Sequence, residues 1–464
     1  MKSRSDHYNS IIIGAGQSGN PLARALATAG MKTALIEREH VGGTCVNEGC
    51  TPTKTMVASA RVAWLSRRAT DYGVNTGKIE VNMKTVRRRK QDIVESFRSG
   101  SAARIKKTED LTLFMGSATF NGEKRLAVSL NNGNSKELTA DRIFINTGAR
   151  PAVLPISGLE TVPFLNSTTI MELDTVPEHL IIIGGGYVGL EFGQMFRRFG
   201  SKVTILQKSG QLLRREDTDI AEEVTKILQD EGVDIWFESL TLKAENSIDG
   251  KIKLQVKTPR GEKKLTGSHL LLAAGRTPNT DDLNLEAAGV NIDKKGYIRV
   301  NEKLETSAPD IYAMGDVKGG PAFTHISYDD FRVLRQNLLE EGNSSIAERQ
   351  IPYTVFIDPQ LGRIGLSEKE AEKKGIYFKT ASMPMSHVAR ALEVDESRGV
   401  MKVLIDAQND QILGAAILGI EGGEIMSMLQ IAMLADLPYT SLRDGIFAHP
   451  TLAESLNNLF ATVT

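Results

Sequence analysis

One glycine pattern occurs twice in this chain of 464 residues. Residues 9–37 and 179–207 each read as a β-branched run, the spacing G-x-G-x-x-G, a stretch rich in small residues, and a second apolar run. Such a turn lets the backbone approach a pyrophosphate at the N-terminus of a helix. The glycines concerned are Gly14, Gly16 and Gly19 in the first copy, and Gly184, Gly186 and Gly189 in the second. Two copies in full strand–turn–helix–strand contexts predict two Rossmann-like units and two bound dinucleotides.

The two copies end differently. The first ends in Glu37, a carboxylate placed to accept the ribose hydroxyls of an adenosine. The second ends in Gln207 and Lys208, with Arg214 and Arg215 a few residues further on. Losing the acid and gaining cations favours a ribose 2′-phosphate, which predicts NADPH at the second site. The alternative is a solvated cationic loop, with NADH as the cofactor.

Charge and hydropathy exclude several classes of partner. The formal net charge is −1, which gives no electrostatic reason to expect nucleic acid or an anionic membrane. Apolar runs such as residues 180–183 are too short to cross a bilayer. The first ten residues lack the apolar segment of a secretory signal. We therefore expect a cytoplasmic protein.

The chain has only two cysteines, Cys45 and Cys50. A structural disulfide is disfavoured in the reducing cytosol, and so short a loop would add little stability. A zinc site would need two more ligands, and no cluster of His or Cys supplies them, so we predict no metal site. Pro52 fits the first turn of a helix, which places Cys50 near a helix N-terminus where a thiolate is stabilised. Lys54 adds positive charge one turn later. The pair is predicted to be redox-active.

The remaining segments predict further elements. A helical stretch covers about residues 53–107, and its basic run, 87–90, is expected on a solvated face. Alternating apolar and polar residues predict small antiparallel sheets at 111–145 and 233–273. From Pro352 onward the sequence favours an α+β domain and an interface, with strands at 353–357, 399–405 and 411–418 followed by Met-rich helices.

Further motifs identify a family resemblance. The chain contains, in this order, GGTCVNEGCTPTK at 42–54, INTGARP at 145–151, AAGRTPN at 273–279, MGD at 314–316 and HPTLAE at 449–454. With the two glycine turns, this order resembles the class I pyridine nucleotide-disulfide oxidoreductases, which include glutathione reductase, lipoamide dehydrogenase and mercuric reductase. The likeness covers essentially the whole chain. It is greatest to the mercuric-reductase-like branch and, within that branch, to a bacterial flavoprotein of reactive-chlorine resistance.

The resemblance implies an α/β fold with three parts. An FAD-binding domain over residues 1–150 is completed by 270–345. An NAD(P)-binding domain covers 151–269. A C-terminal α+β dimerisation domain covers 346–464. The protein is then expected to be a homodimer with shared active sites.

The resemblance also implies residue roles. The FAD-binding set would be Gly14, Gly16, Gly19, Glu37, Gly43, Thr44, Lys54, Ala118, Thr147, Gly148 and Asp316, with Asp316 at the ribityl chain. The set for the nicotinamide dinucleotide would be Gly184, Gly186, Gly189, Gln207, Lys208, Arg214, Gly275 and Arg276. Tyr187 matches an aromatic gate over the flavin, and Glu191 matches the acid that pairs with Lys54. His449 of the partner subunit would exchange a proton with the thiols, and Glu454 would orient its imidazole.

The implied reaction passes electrons from NADPH or NADH through FAD to Cys45 and Cys50, and on to a small oxidised acceptor. For the mercuric-reductase-like branch, that acceptor is an oxidant or a soft metal ion such as Hg(II) or Cu(II). Two alternatives remain: a reductase of small disulfides, of the lipoamide dehydrogenase or glutathione reductase kind, and a redox-sensing flavoprotein. The sequence departs from mercuric reductases at its end, LNNLFATVT, which lacks their cysteine pair.

Overall fold

The computed structural model describes residues 6–247 and 249–464. The chain forms two compact units, each assembled from three segments. Unit one contains the described residues up to Thr55, together with Thr85–Ala152 and Gly275–Arg349. Unit two contains Met56–Lys84, Val153–Ala274 and Gln350–Thr464.

The described residues form twenty-one strands and twelve α-helices. The strands are β1 Asp6–Ile13, β2 Thr33–Glu37, β3 Leu111–Gly122, β4 Arg125–Leu130, β5 Ser135–Ile145, β6 Ala149–Pro151, β7 Phe164–Leu165, β8 His179–Ile183, β9 Lys202–Leu206, β10 Val233–Trp236, β11 Leu240–Asn246, β12 Ile252–Thr258, β13 Gly261–Gly267, β14 His269–Leu272, β15 Arg276–Pro278, β16 Ile311–Ala313, β17 Tyr353–Val355, β18 Gln360–Gly365, β19 Phe378–Pro384, β20 Val400–Asp406 and β21 Ile412–Gly419. The helices are α1 Gly19–Thr28, α2 Gly43–Asn47, α3 Cys50–Arg67, α4 Met83–Lys106, α5 Tyr187–Phe199, α6 Thr218–Asp230, α7 Thr324–Leu339, α8 Glu368–Lys373, α9 Ala389–Glu393, α10 Gly422–Leu434, α11 Tyr439–Arg443 and α12 Ser455–Phe460.

Unit one is built on a sheet whose centre is parallel. Strand β1 pairs in parallel with both β2 and β5, and β16 extends the sheet beyond β5. The isoleucines at the end of β1 are buried, as expected for a strand covered on both faces. The predicted antiparallel strands over 111–145 are present, because β3 pairs antiparallel with β4 and β4 with β5. They do not form a sheet of their own, since β3 also pairs in parallel with β2 over Leu111–Met115 and β5 pairs in parallel with β1.

Unit two contains a second parallel sheet, in the order β10-β9-β8-β14-β7. Strands β11, β12 and β13 form the small antiparallel sheet that the sequence predicts. That prediction extends too far at both ends, because β10 and β14 pair with the parallel sheet instead. Both strands are short. The alternation of apolar and polar residues does not show which strand such a short run pairs with.

The C-terminal part of unit two is an antiparallel sheet in the order β17-β18-β21-β20-β19. The three predicted strands correspond to β17, β20 and β21, whereas β18 and β19 were missed. Strand β18 reads QLGRIG, which is weak as a strand because of its two glycines. One of them is needed for packing, since a Cβ on Gly362 would lie 2.4 Å from the carbonyl oxygen of Gly422 at the start of α10.

The predicted helical stretch over 53–107 is two helices, since α3 ends at Arg67 and α4 begins at Met83. The prediction that the basic run 87–90 lies on a solvated face is wrong for one of its residues. Lys90 is buried, because it shares the inward face of α4 with Val94 and Ile105. Helical spacing places these residues on one stripe, and the long lysine stem can be buried there.

The fold class is confirmed: two Rossmann-like nucleotide-binding regions and a C-terminal α+β region are present. Within the described ranges, no helix combines the length and the apolar character that a bilayer crossing requires.

Candidate active site

The first glycine turn is closed tightly against strand β5. Gly14 adopts a φ of +104°, and a Cβ there would lie 2.3 Å from the carbonyl oxygen of Asn146. A Cβ on Gly19 would lie 2.1 Å from the carbonyl oxygen of Gly14. Side chains are therefore excluded at both positions, which lets an anion approach the backbone of the turn. This cradle fits the pyrophosphate of a dinucleotide such as FAD.

Glu37 lies beside this turn at the end of β2. One carboxylate oxygen accepts the N–H of Ala15 at 2.9 Å, and the other accepts the N–H of Glu39 at 2.9 Å. These bonds fix the carboxylate beside the turn, and its contact with the adenosine ribose stays a prediction. Gly43 packs on the turn as well, since a Cβ on it would lie 2.7 Å from Cα of Gly16.

The two cysteines lie on successive helices of the same region. Cys45 is on α2, and Cys50 is the first residue of α3, as the sequence predicts. Both are thiols in this structure. The Cys50 sulfur lies 3.4 Å from the hydroxyl of Thr324, the first residue of α7. Sequence reasoning missed Thr324, because it is 274 positions from Cys50 and a single threonine has no motif signal.

The pKa of the Cys45 thiol is raised well above its ordinary value. The main cause is its hydrogen bond to Cys50, followed by burial and by the charge that Cys50 can carry. A hydrogen bond to Thr324 and the positive charge of Lys54 act in the opposite direction. Within the reduced pair, Cys45 therefore holds its proton tightly. It needs a base before it can act as a nucleophile.

Asp316 and Arg276 are close neighbours in unit one. Asp316 lies in a single 3-10 turn, Gly315–Lys318, and its carboxylate lies 3.7 Å from the guanidinium of Arg276. Burial raises the pKa of Asp316, and the charges of Arg276 and Lys318 oppose that rise. Arg276 also donates to the carbonyl of Ala149. The prediction that Gly275 and Arg276 contact the nicotinamide stays a prediction.

Thr147 and Gly148, which are predicted to contact the flavin, are both hydrogen-bonded to Asn279. The hydroxyl of Thr147 donates to the carbonyl of Asn279 at 2.8 Å, and the carbonyl of Gly148 accepts the N–H of Asn279 at 3.0 Å. Ala118 is part of the hydrophobic core, so any cofactor contact from it must use the main chain. Thr44 is on α2, next to Cys45.

The second glycine turn has the same shape in unit two. Gly184 adopts a φ of +116°, and a Cβ on it would lie 2.7 Å from the carbonyl oxygen of Ala273. A Cβ on Gly189 would lie 2.0 Å from the carbonyl oxygen of Gly184. A Cβ on Gly186 would meet nothing within 4 Å, so open space lies before the helix N-terminus. This space fits the approach of a second dinucleotide.

Gln207 holds the second turn from the position that Glu37 has in the first. Its side-chain oxygen accepts the N–H of Gly185 at 3.0 Å, while its amide nitrogen donates to Ser209 and to the carbonyl of Gln211. The glutamine thus orders the loop that follows β9. Lys208, Arg214 and Arg215 are exposed on this loop.

Tyr187 and Glu191 lie on α5. Tyr187 is the first residue of the helix and is half-buried. Glu191 is buried, and its carboxylate accepts the backbone N–H of Phe356 at 2.9 Å. That acceptor role was not predicted. The pairing of Glu191 with Lys54 and the gating role of Tyr187 stay predictions.

His449 and Glu454 form a pair in the C-terminal region. The Nδ1 atom of His449 lies 2.8 Å and 3.0 Å from the two carboxylate oxygens of Glu454. The imidazole is 68% exposed, compared with 29% for the carboxylate. A carboxylate at Nδ1 keeps a hydrogen on that nitrogen and leaves Nε2 as the basic atom. The pair has the form of a general base with its orienting acid.

Within residues 6–247 and 249–464, no three His, Cys, Asp or Glu side chains are grouped as for a metal ion. The chemistry-bearing groups are two dinucleotide turns, one in each unit, and a thiol pair at a helix N-terminus. Together they define a nucleotide-dependent disulfide oxidoreductase.

The chain belongs to the pyridine nucleotide-disulphide oxidoreductase family. Residues 8–330 match the family itself, and residues 351–460 match its dimerisation domain.

Several known proteins are similar over nearly the whole chain. A probable pyridine nucleotide-disulfide oxidoreductase, RclA of Escherichia coli (strain K12), is 39% identical over 98% of this chain and 99% of its own. A mercuric reductase of Lysinibacillus sphaericus is 34% identical over 97% of this chain and 82% of its own. The solved Cu(II) complex of the HOCl-induced flavoprotein disulfide reductase RclA from Escherichia coli matches with a TM-score of 0.90 and 38% identity, covering 98% of this chain and 99% of that one.

These matches confirm the predicted family, enzyme class and cofactors. The protein is an oxidoreductase of the flavoprotein disulfide reductase type, and its cofactors are FAD and a nicotinamide dinucleotide. The individual site residues and the acceptor remain predictions.

Proposed function

We propose that this protein is an NAD(P)H-dependent reductase whose Cys45–Cys50 pair delivers electrons to an oxidant or a soft metal ion, such as Cu(II) or Hg(II). The observation that carries the proposal is the thiol pair itself, with Cys50 at a helix N-terminus and Cys45 hydrogen-bonded to it. The Cu(II) complex of a similar reductase and the similar mercuric reductases support the choice of acceptor.

FAD would be held by the glycine turn of unit one, Glu37 and Asp316. The nicotinamide dinucleotide would be held by the glycine turn of unit two. When bound, the flavin supplies two-electron exchange between the nicotinamide and a disulfide. The chain contributes fixed N–H groups, an oriented carboxylate and the two sulfurs.

The two sulfurs have different tasks. Cys50 lies at the positive end of α3 and within hydrogen-bonding distance of Thr324, so the Cys50 thiolate is stabilised. Cys45 retains its proton and must lose it to attack or bind an acceptor. We therefore assign exchange with the acceptor to Cys45.

A soft cation suits such a pair, because thiolates favour Cu(I) and Hg(II). The dithiol binds the ion as it loses two protons, and a disulfide forms as two electrons leave the sulfurs. Two Cu(II) ions become two Cu(I) ions, or one Hg(II) becomes Hg(0). The disulfide would return to the dithiol by gaining two protons and two electrons, which the bound cofactors would supply.

We further propose a cytoplasmic homodimer in which His449 of the partner subunit serves as the base for Cys45. The match to the dimerisation domain of the family supports the dimer. The Nδ1 contact with Glu454 supports the role of the imidazole, since it leaves Nε2 to take a proton.

Replacing His449 by alanine should lower acceptor turnover about 100-fold at neutral pH. Because the pKa of Cys45 is raised, its thiolate is scarce at neutral pH and increases as the pH rises. The deficit of the variant should therefore shrink toward alkaline pH. Turnover is measured against pH for both proteins, with His387→Ala as an exposed-histidine control. A deficit that is constant across the pH range would contradict the role of His449 as a base.

The decisive experiment for the proposed function is steady-state oxidation of NADPH and of NADH with a panel of acceptors. The panel contains Cu(II), Hg(II), lipoamide, oxidised glutathione and hypochlorite-derived oxidants. Saturable, catalytic turnover with a metal ion or an oxidant supports the proposal. Reduction that stops after one equivalent per pair would instead identify a redox sensor.

A small-disulfide reductase is the second candidate, and the exposed His449–Glu454 pair favours it. Thiol–disulfide exchange needs a general acid to protonate the leaving thiolate, and an imidazole can take that role after it has accepted a proton. This candidate predicts that lipoamide or oxidised glutathione gives the highest kcat/KM in the panel.

The exposed cations after β9, Lys208, Arg214 and Arg215, should determine whether the protein prefers NADPH or NADH. Arg214→Ala should raise the KM for NADPH about tenfold and leave the KM for NADH within twofold. Only NADPH has a 2′-phosphate, so only NADPH loses a charge-assisted hydrogen bond when the arginine is removed. Lys226→Ala on α6 is a control of equal charge change. Equal KM changes for the two nicotinamides would show that the loop is merely solvated.

A further inference from the structure

Asn146 is a buried amide between two turns of unit one. It follows β5 directly and is 7% exposed. Its side-chain oxygen accepts the N–H of Gly19 at 2.9 Å, and its nitrogen donates to the hydroxyl of Ser18 at 2.7 Å and to the carbonyl of Met314 at 2.9 Å. One side chain thus binds both the glycine turn and the residue before the Asp316 turn.

The surrounding glycines leave space for this amide. A Cβ on Gly16 or Gly19 would lie 2.9 Å or 2.8 Å from the Asn146 side-chain oxygen. A Cβ on Gly315 would lie 2.8 Å from its nitrogen. Gly315 also has a φ of +72°, which other residues rarely adopt. The glycines of both turns are therefore required for the Asn146 side chain to fit between them.

The polar network continues beyond Asn146. The hydroxyls of Ser18 and Ser327 lie 3.0 Å apart. Asp330, which is fully buried, accepts the N–H of Gly315 at 2.7 Å. Its carboxylate also lies 2.7 Å from the guanidinium of Arg349. The turn that carries Asp316 is thus held from both sides, by Asn146 at Met314 and by Asp330 at Gly315.

We propose that Asn146 is a positioning residue that couples the glycine turn to the Asp316 turn, so that the pyrophosphate and the adjoining ribityl chain of FAD meet one preorganised cradle. The inference rests on the assignment of FAD to unit one and of Asp316 to its ribityl chain. It requires nothing about the electron acceptor. Removing the amide would leave a buried N–H and a buried carbonyl unpaired, and would free the two turns to move separately.

The test is cofactor binding by apo-protein, measured by titration with FAD and, separately, with ADP. ADP carries the pyrophosphate but no ribityl chain. Asn146→Ala should weaken FAD binding about tenfold to a hundredfold, and ADP binding by a smaller factor. In a double-mutant cycle, Asp316→Ala should cost less in the Asn146→Ala background than in the wild type.

Two further variants keep this test decisive. Asn146→Asp keeps the acceptor for Gly19 but cannot donate to the carbonyl of Met314, so it should also weaken FAD more than ADP. It replaces Asn146→Ala if that variant fails to fold. Ser10→Ala removes a buried hydroxyl of β1 that has no hydrogen-bond partner, and should leave both affinities within twofold.

The coupling is wrong if the Asn146 variants lose FAD and ADP by the same factor and the cycle is additive, since Asn146 then serves only the glycine turn. It is also wrong if both Asn146 variants bind FAD within twofold of the wild type. Failure of every acceptor in the turnover panel would leave these affinities unaffected, so the two proposals fail independently.

Discussion

Replacing Cys45 or Cys50 by serine is expected to abolish turnover with metal ions and disulfides, by at least about a thousandfold. A serine hydroxyl can neither form the redox disulfide nor act as a comparable nucleophile near neutral pH. FAD binding should persist, because the glycine turn and Glu37 do not use the sulfurs. The measurement is steady-state NAD(P)H oxidation with each acceptor, alongside the visible spectrum of the bound flavin.

Electron transfer to a one-electron dye provides the internal control, because it requires the reduced flavin and not the thiols. Both serine variants should keep this activity within a few-fold of the wild type. If either variant reduced Cu(II), Hg(II) or disulfides at the wild-type rate, the acceptor would be reduced without the cysteine pair. The proposed route through Cys45 and Cys50 would then be abandoned.

Replacing Arg198 by methionine is expected to lower the free energy of unfolding of unit two by about 3–5 kcal/mol. The Arg198 side chain is 3% exposed and lies 2.6 Å from Glu231, which is 1% exposed. It also lies 2.5 Å from Asp358. Without the guanidinium, two buried carboxylates lose their main shared cation. Trp64 lies 4.9 Å from Arg198, so tryptophan fluorescence during urea unfolding reports on this region.

The matched control is the exposed ion pair of Lys78 and Glu80, whose side chains are 85% and 74% exposed at 2.6 Å separation. Lys78→Ala should change the free energy of unfolding by less than about 1 kcal/mol, because solvent already screens the pair. Equal effects of Arg198→Met and Lys78→Ala would show that burial of the Arg198 network contributes nothing to stability.

Much of the chemistry was predictable because its signals are local in sequence. Each glycine turn spans six residues, and the two cysteines lie five positions apart on either side of a short loop. Pro52 marks the helix start that places Cys50 at its N-terminus. His449 and Glu454 also meet within one short segment, at the distance that an imidazole and a carboxylate need.

The elements that were predicted wrongly depend on packing. The apolar run of β14 joins a parallel sheet rather than its neighbours in sequence, and Lys90 is buried because the inward face of α4 includes it. Strand β18 was missed because its two glycines weaken the strand pattern, and one of them, Gly362, is required by the approach of α10. In each case the partner surface, which a local pattern does not describe, decided the structure.

The sequence alone therefore determined the two nucleotide-binding units and the family, and it predicted the redox role of the cysteine pair. Only the tertiary structure placed Thr324 beside Cys50, from 274 positions away, and Asn146 between Gly19 and Met314, from 127 and 168 positions away. A threonine or an asparagine has no periodicity or motif that marks it. Its role is set by which distant N–H, carbonyl or thiol the folded chain brings within hydrogen-bonding distance.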